Sequence, residues 1–204
     1  MKLDIGNLNN MLLDVLKELG NIGSGNAATA LAKLLNDKVN MEVPQVRILE
    51  FSEVDNILGG AENTVVGIYF CISGDIVGNI MFILDLESSK NLIEILLNKK
   101  KEDYNLNDLE ISALSEVGNI LASSYINCLS QITNLKLKIS VPSISIDMAA
   151  AILSVPAIQF SYVSDKVLFI ETEFSENNKY ISGNFFLIPD IDSFEIILKN
   201  LGVF

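Results

Sequence analysis

Two short constellations combine a carboxylate and a carboxamide at helical spacing: Asp14, Glu18 and Asn21, and Ser112, Glu116 and Asn119. In each, Asn follows Glu by three residues, so on a helix the pair shares one face. An amide is a poor nucleophile and no base stands beside it to activate an attack. It can, however, orient a water molecule. Phosphoryl transfer through a loose transition state asks little of its nucleophile, so a neutral amide that aligns water suffices, as the glutamine of small GTPases does. A carboxylate in that role would be repelled by the phosphoryl oxygens. The Glu is then left to pair with a cation, for example a lysine at the site where the phosphoryl group sits.

The rest of the composition narrows the choice. There is no His and no Trp, there are two Cys, and 14 Lys and Arg stand against 26 Asp and Glu. Without histidine there is no Ser-His or Cys-His nucleophile, no His metal site and no phosphohistidine chemistry. The acidic balance and the single arginine, Arg47, argue against binding a phosphate backbone or an anionic membrane surface. No P-loop and no metal-ligand cluster is visible, so any divalent ion and positive charge must arrive with the substrate. Cys71 and Cys128 lie far apart in apolar stretches and read as buried free thiols. The start lacks the basic segment and apolar run of a secretory signal, and no stretch of about 18 apolar residues suggests a span. The expectation is a cytoplasmic protein that binds neither nucleic acid nor membrane.

The elements that must carry these residues repeat. Asp14, Glu18, Gly20, Asn21, Ile22 and Pro44 match Ser112, Glu116, Gly118, Asn119, Ile120 and Pro142 at an offset of 98. Gly78-Asn79 through Asp85 matches Gly183-Asn184 through Asp190 at an offset of 105, so the second copy has seven more residues between Pro142 and Gly183. Each copy reads as a long helix (about 8–36 and 105–133), a β-type run (Val43–Glu50 and Lys136–Ile146), two further strands (Thr64–Ile72 with Ile76–Leu84, and Val167–Glu173 with Tyr180–Leu187) and a short helix (about 87–98 and 191–201). Ser73-Gly74-Asp75 and Glu176-Asn177-Asn178 supply hairpin turns. Ser88-Ser89 and Asp192-Ser193 supply capping material. Strands in series with helices at the ends predict an α+β fold with a largely antiparallel sheet, two long helices carrying the motifs, two shorter ones and an internal pseudo-two-fold. No linker separates the copies, so residues 1–204 are expected to form one domain of two homologous halves, about 1–100 and 101–204.

At about 100° per residue, Asp14, Glu18 and Asn21 fall within a sector of about 60°. Leu8, Leu12, Val15, Leu16, Leu19 and Leu34 lie opposite, and Leu114, Val117, Leu121 and Ile132 do the same for the second helix. The polar trios are therefore expected to face solvent, with Gly25, Ala28 and Ala32 continuing the first face. Gly20, Gly23 and Gly25 cost up to about 1 kcal/mol each relative to alanine in a helix, which close packing on a neighbour such as the twin helix would explain. A lone Glu-x-x-Asn is ordinary solvated surface in most proteins. Here Glu and Asn persist while neighbours read as exposed differ, Lys17 against Ser115 and Ser24 against Ala122. Pro44 and Pro142 mark strand entries and fix geometry, since proline offers no catalytic group.

Asp14-x3-Glu18-x2-Asn21-x22-Pro44 and Ser112-x3-Glu116-x2-Asn119-x22-Pro142 resemble the (Asp/Ser)-x3-Glu-x2-Asn…Pro signatures of the CheC, CheX and FliY phosphatases of chemotaxis. The stretch Glu18–Leu31 is similar to the long first helix of CheC-type chains, and two motifs in about two hundred residues is the CheC arrangement. The resemblance implies hydrolysis of the aspartyl phosphate of a CheY-type response regulator. Asn21 and Asn119 would each align water in the regulator's site, and Glu18 and Glu116 would contact its lysine. Asp14, Ser112, Pro44 and Pro142 would complete the motifs. It also implies Mg2+ on the regulator and no cofactor or metal of the chain's own, and CheD, a receptor deamidase, as a second partner. Internal duplication suits a monomer. The alternative is a non-catalytic adaptor that binds CheD or phospho-CheY. The second copy has Leu121-Ala-Ser123 where the first has Gly23-Ser-Gly25.

Overall fold

The computed structural model describes residues 10–43, 45–159, 166–176 and 179–202. In order the elements are α1 (Asn10–Leu35), β1 (Asn40–Glu42), β2 (Val46–Glu50), α2 (Val54–Ile57), β3 (Thr64–Gly74), β4 (Gly78–Asp85), α3 (Leu86–Leu97), α4 (Asp108–Thr133), β5 (Leu137–Ile139), β6 (Ser143–Met148), α5 (Ala149–Gln159), β7 (Lys166–Glu176), β8 (Lys179–Pro189) and α6 (Ile191–Asn200). A 3-10 turn, Phe51–Glu53, precedes α2.

All strands belong to one antiparallel sheet in the order β1-β7-β8-β4-β3-β5, with β2 also on β7 and β6 also on β3. The two copies meet at its centre. β4 pairs with β8 so that Gly78 faces Pro189, Leu84 faces Gly183, and Met81 faces Phe186, its own counterpart in the repeat. At the edges the copies are exchanged: β1 and β2 of the first pair with β7 of the second, and β5 and β6 of the second pair with β3 of the first. The repeated glycines have steric causes. A Cβ at Gly78 would stand 2.7 Å from the Ile188 carbonyl oxygen, and one at Gly183 would stand 2.4 Å from the Phe82 ring.

Alternate side chains of the strands feed two cores. One face, with Val66, Ile68, Phe70, Ile80, Phe82, Leu168, Ile170 and Phe185, packs under α1, α3, α4 and α6. The other, with Val65, Met81, Ile83, Val167, Phe169 and Phe186, packs under α2 and α5. Strands buried on both faces explain their near-continuous apolar composition.

α1 and α4 run antiparallel against each other. Gly23 lies against Tyr125, and the Cys128 thiol approaches the Leu19 carbonyl oxygen at 3.7 Å, so rising numbers in one helix meet falling numbers in the other. A Cβ at Gly23 would come 2.4 Å from the Tyr125 ring, while one at Gly25 would meet open space. The expected close approach to the twin helix therefore belongs to Gly23 alone. Gly20 instead accommodates Val43 and Val46, each 3.3 Å from where its Cβ would be.

Several expectations need correction. Leu34 and Ile132, assigned to the core stripe, are 47% and 40% exposed. At this end the covered side belongs to Leu31 and Leu129, roughly 60° away around the helix. Ser24 and Ala122, read as exposed, are buried on that same side, so the argument from diverging surface rests on Lys17 and Ser115. Cys71 is half-buried; Cys128 is buried. The run Val43–Glu50 is interrupted, pairing on β7 as β1 and β2, and Lys136–Ile146 divides into β5 and β6. The caps of α3 and α6 are Asp85 and Asp190, whose carboxylates accept from the N–H of Ser88 at 2.6 Å and of Ser193 at 2.7 Å. α5 was not expected as a helix. It stands where the first copy has the 3-10 turn and α2, within the stretch where the second copy has its extra residues. The hairpin tip at 177–178 and Leu8 lie outside the described residues.

Candidate functional site

The site is built on the outward faces of α1 and α4. Asp14, Glu18 and Asn21 are exposed on α1; Ser112 and Glu116 are exposed on α4, and Asn119 is half-buried. The two helices bring together what sequence spacing placed apart, since each trio rides on a helix packed against the other helix and against the sheet. Their antiparallel register sets Asn119 level with about residue 29 of α1, roughly 12 Å along the axis from Asn21. Among the described residues neither side-chain amide has an internal hydrogen-bond partner, which leaves both its donor and its acceptor available.

The backbone beneath each amide is held tightly. Gly20 admits Val43 and Val46, and Val43 adjoins Pro44, so the strand entry packs on the turn that bears Asn21. Pro44 itself lies outside the described residues. Gly118 admits Ile68 of β3, whose Cγ2 would be 2.8 Å from a Cβ, and so presses the turn that bears Asn119 onto the sheet. Pro142 is half-buried between β5 and β6. Beneath Gly23, Tyr125 packs on Phe185 with ring centroids 4.5 Å apart, and its hydroxyl shares a 3.3 Å hydrogen bond with that of Thr172. Burial pushes that hydroxyl up to about 12, so it is a neutral phenol at physiological pH. Burial and then the Glu18 carboxylate push the Cys128 thiol up, which makes it an inert part of the packing and not a nucleophile.

Chemically, each site offers one carboxylate to a cation and one amide to a water. Among the described residues no group of three or more His, Cys, Asp or Glu side chains gathers to hold a metal ion. No described helix is long and apolar enough to cross a membrane.

Two features near the second site escaped the sequence reading. Asn107 caps α4, its side chain accepting from the N–H of Leu109 and of Glu110, while Glu110 accepts from the N–H of Asn107. The signal Asn-x-x-Glu before a helix is a readable capping box. Lys101 reaches Glu110 with its ammonium 3.0 Å from both carboxylate oxygens. That contact has no local sequence signal.

Fold and site thus define a class: an α+β protein with a duplicated helix, each copy presenting a carboxylate and a carboxamide outward. A family model described as the CheC-like family matches residues 11–48 and 109–146, the two segments offset as the repeat is. The CheY-P phosphatase CheC of Bacillus subtilis is 36% identical over 195 residues, covering 93% of each chain. The chain belongs to the CheC-like family. Among solved structures, Thermotoga maritima FliY superposes with a TM-score of 0.75 at 22% identity, covering 97% of this chain and 98% of that one. A chain of the CheX-CheY-BeF3-Mg+2 complex from Borrelia burgdorferi superposes with a TM-score of 0.51 at 16% identity, covering 87% and 99%. At these identities the structural matches speak for the fold.

Proposed function

We propose that the chain is a phosphatase that hydrolyses the aspartyl phosphate of a CheY-type response regulator, with Asn21 and Asn119 each inserted to align the attacking water. Glu18 and Glu116 pair with the lysine of the regulator's site, and Asp14 and Ser112 extend the docking face. Pro44 and Pro142 fix the strand entries behind it. The observation that carries the reading is that Asn21 is exposed and Asn119 half-buried on the motif faces of α1 and α4, and that among the described residues neither amide has a hydrogen-bond partner. The B. subtilis relative's name supports the substrate.

The reaction then runs without a covalent intermediate on this chain. The regulator supplies Mg2+, the carboxylate that carries the phosphoryl group, and the lysine. The amide carbonyl accepts a hydrogen bond from the water and turns the water's lone pair toward phosphorus; as the new P–O bond forms, the P–O bond to the aspartate breaks, the aspartate leaves as its carboxylate and the water's proton passes to a phosphoryl oxygen. The CheX-CheY-BeF3-Mg+2 complex of B. burgdorferi, which brings CheY and Mg+2 together, supports a partner-borne metal.

The proposal extends to one domain, 1–204, made of halves about 1–100 and 101–204. It also extends to CheD as a second partner, to a monomer and to a cytoplasmic setting. Each half supplies strands that complete the other's sheet, which supports the single domain. Phosphate release from phosphorylated regulator, measured with wild type and with Asn21→Ala plus Asn119→Ala, tests the core claim. Loss of acceleration with the fold retained supports it; unchanged release refutes it.

A further inference from the structure

We propose that the buried pair Lys101–Glu110 is a positioning device for the second site alone; the inference rests on the functional reading above. Lys101 lies in the segment that leaves α3 of the first half and enters α4 of the second. Its ammonium is 3.0 Å from both oxygens of Glu110, 3.2 Å from Asp103 Oδ1 and 2.6 Å from the Asn105 carbonyl oxygen. Its backbone N–H donates to Glu94 Oε1 of α3 at 2.7 Å. The Lys101 and Glu110 side chains are only 7% and 11% exposed. Glu110 closes the capping box on Asn107 at the same time. Lys101, through its backbone N–H and its ammonium, therefore ties the end of α3, the connecting segment and the first turn of α4 together.

The direction of that tie matters. At about 100° per residue Glu110 lies roughly 160° around α4 from Ser112 and roughly 120° from Glu116. Anchoring it on the inner side fixes the rotation of the turns that present Ser112 and Glu116 on the outer side. A rotation by about a tenth of a turn moves a side-chain tip by about 3 Å at the outer radius of a helix. Asn119 lies further along, where Gly118 seats on Ile68, and so depends less on the clamp. The first copy has leucines, Leu3 and Leu12, at the two corresponding positions, so the same ion pair cannot form there.

The test uses the full chain in two backgrounds. With Asn21→Ala only the second site can work, and with Asn119→Ala only the first. Lys101→Met should raise KM for phosphorylated regulator by about tenfold in the Asn21→Ala background, with kcat changed less than about twofold. It should leave both constants unchanged in the Asn119→Ala background, and Lys101→Arg should restore most of the lost KM. Glu110→Gln, which keeps an acceptor for the Asn107 N–H, should act in the same direction and guards against Lys101→Met failing to fold. Equal losses in both backgrounds, or an unaltered KM with Asn21→Ala, overturn the proposal. Should Asn21→Ala and Asn119→Ala together keep wild-type activity, it is the amide reading that fails. Hydrogen exchange then judges the clamp: faster exchange at residues 108–116 but not 14–21 upholds it, and unchanged exchange in Lys101→Met overturns it.

Discussion

At the residue scale, the motif carboxylates and amides were legible because polar side chains that recur at matching places in two helices, away from the apolar stripe, have no packing reason to repeat. Ser24 was not legible. A small polar residue fits either side of a helix, and only the tertiary packing of α1 placed it at 4% exposure. The glycines give the sharpest residue-level prediction. Gly23→Ala should destabilise the fold by about 1–3 kcal/mol, because its Cβ meets a tyrosine ring pinned by Phe185 and Thr172. Gly25→Ala, with open space around it, should stabilise by up to about 1 kcal/mol through helix propensity. Urea midpoints for the two variants decide; a Gly23→Ala protein as stable as wild type would remove Tyr125 as the cause of that glycine.

At the element scale, periodicity identified the two long helices and the four main strands, since 26-residue helices and strands of 8 to 11 residues carry enough residues for a pattern. It failed on α5. Ala149–Gln159 is apolar nearly all round and contains Pro156, so no 3.6-residue stripe marks it, although Ile152 and Leu153 pack into the second core. The helix ends repeat as faithfully as the motifs: Asn36 and Asn134 take positive φ at 53° and 57°, and Asp85 and Asp190 cap α3 and α6. Asp85→Ala and Asp190→Ala should each cost about 1 kcal/mol by denaturant unfolding, since each exposes orphan N–H groups.

The clamp on α4 should also show in the pH dependence of stability. Burial raises the Glu110 carboxyl, but the Asn107 N–H and the Lys101 ammonium outweigh it and hold the group below its ordinary 4.5. Burial lowers Lys101, but hydrogen bonds to Glu110 and Asp103 outweigh it and hold the group above its ordinary 10.5. A carboxyl lowered on folding stabilises above its unfolded value and loses that contribution as pH falls through the folded one. A raised lysine stabilises below its unfolded value and loses that as pH rises through the folded one. Wild type should therefore exceed Glu110→Gln in stability between about pH 5 and 10, with the gap closing on acidification. A gap that stays constant from pH 7 to pH 3 contradicts an ionised Glu110.

At the scale of the whole molecule, the exchange of edge strands makes the halves interdependent. Residues 1–100 alone would leave β3 without β5 and β6, β4 without β8, and β1 and β2 without β7. That fragment should be unfolded or aggregated by circular dichroism and sizing, and the intact chain should unfold in one transition. An independently folded half would contradict the interlocked sheet. The repeat itself was visible in the sequence from residue offsets. Which strand pairs with which was not, because an offset records duplication and says nothing of exchange across an axis. Met81 facing Phe186 shows where that axis lies.

The most direct test of the central claim is phosphate release from phosphorylated regulator with Asn21→Ala and Asn119→Ala singly and together. Each single variant should retain acceleration through the other site. The double variant, folded and still able to bind, should fall by about a hundredfold or more toward the regulator's own rate. A double variant that releases phosphate as fast as wild type would show that the amides do not align the water.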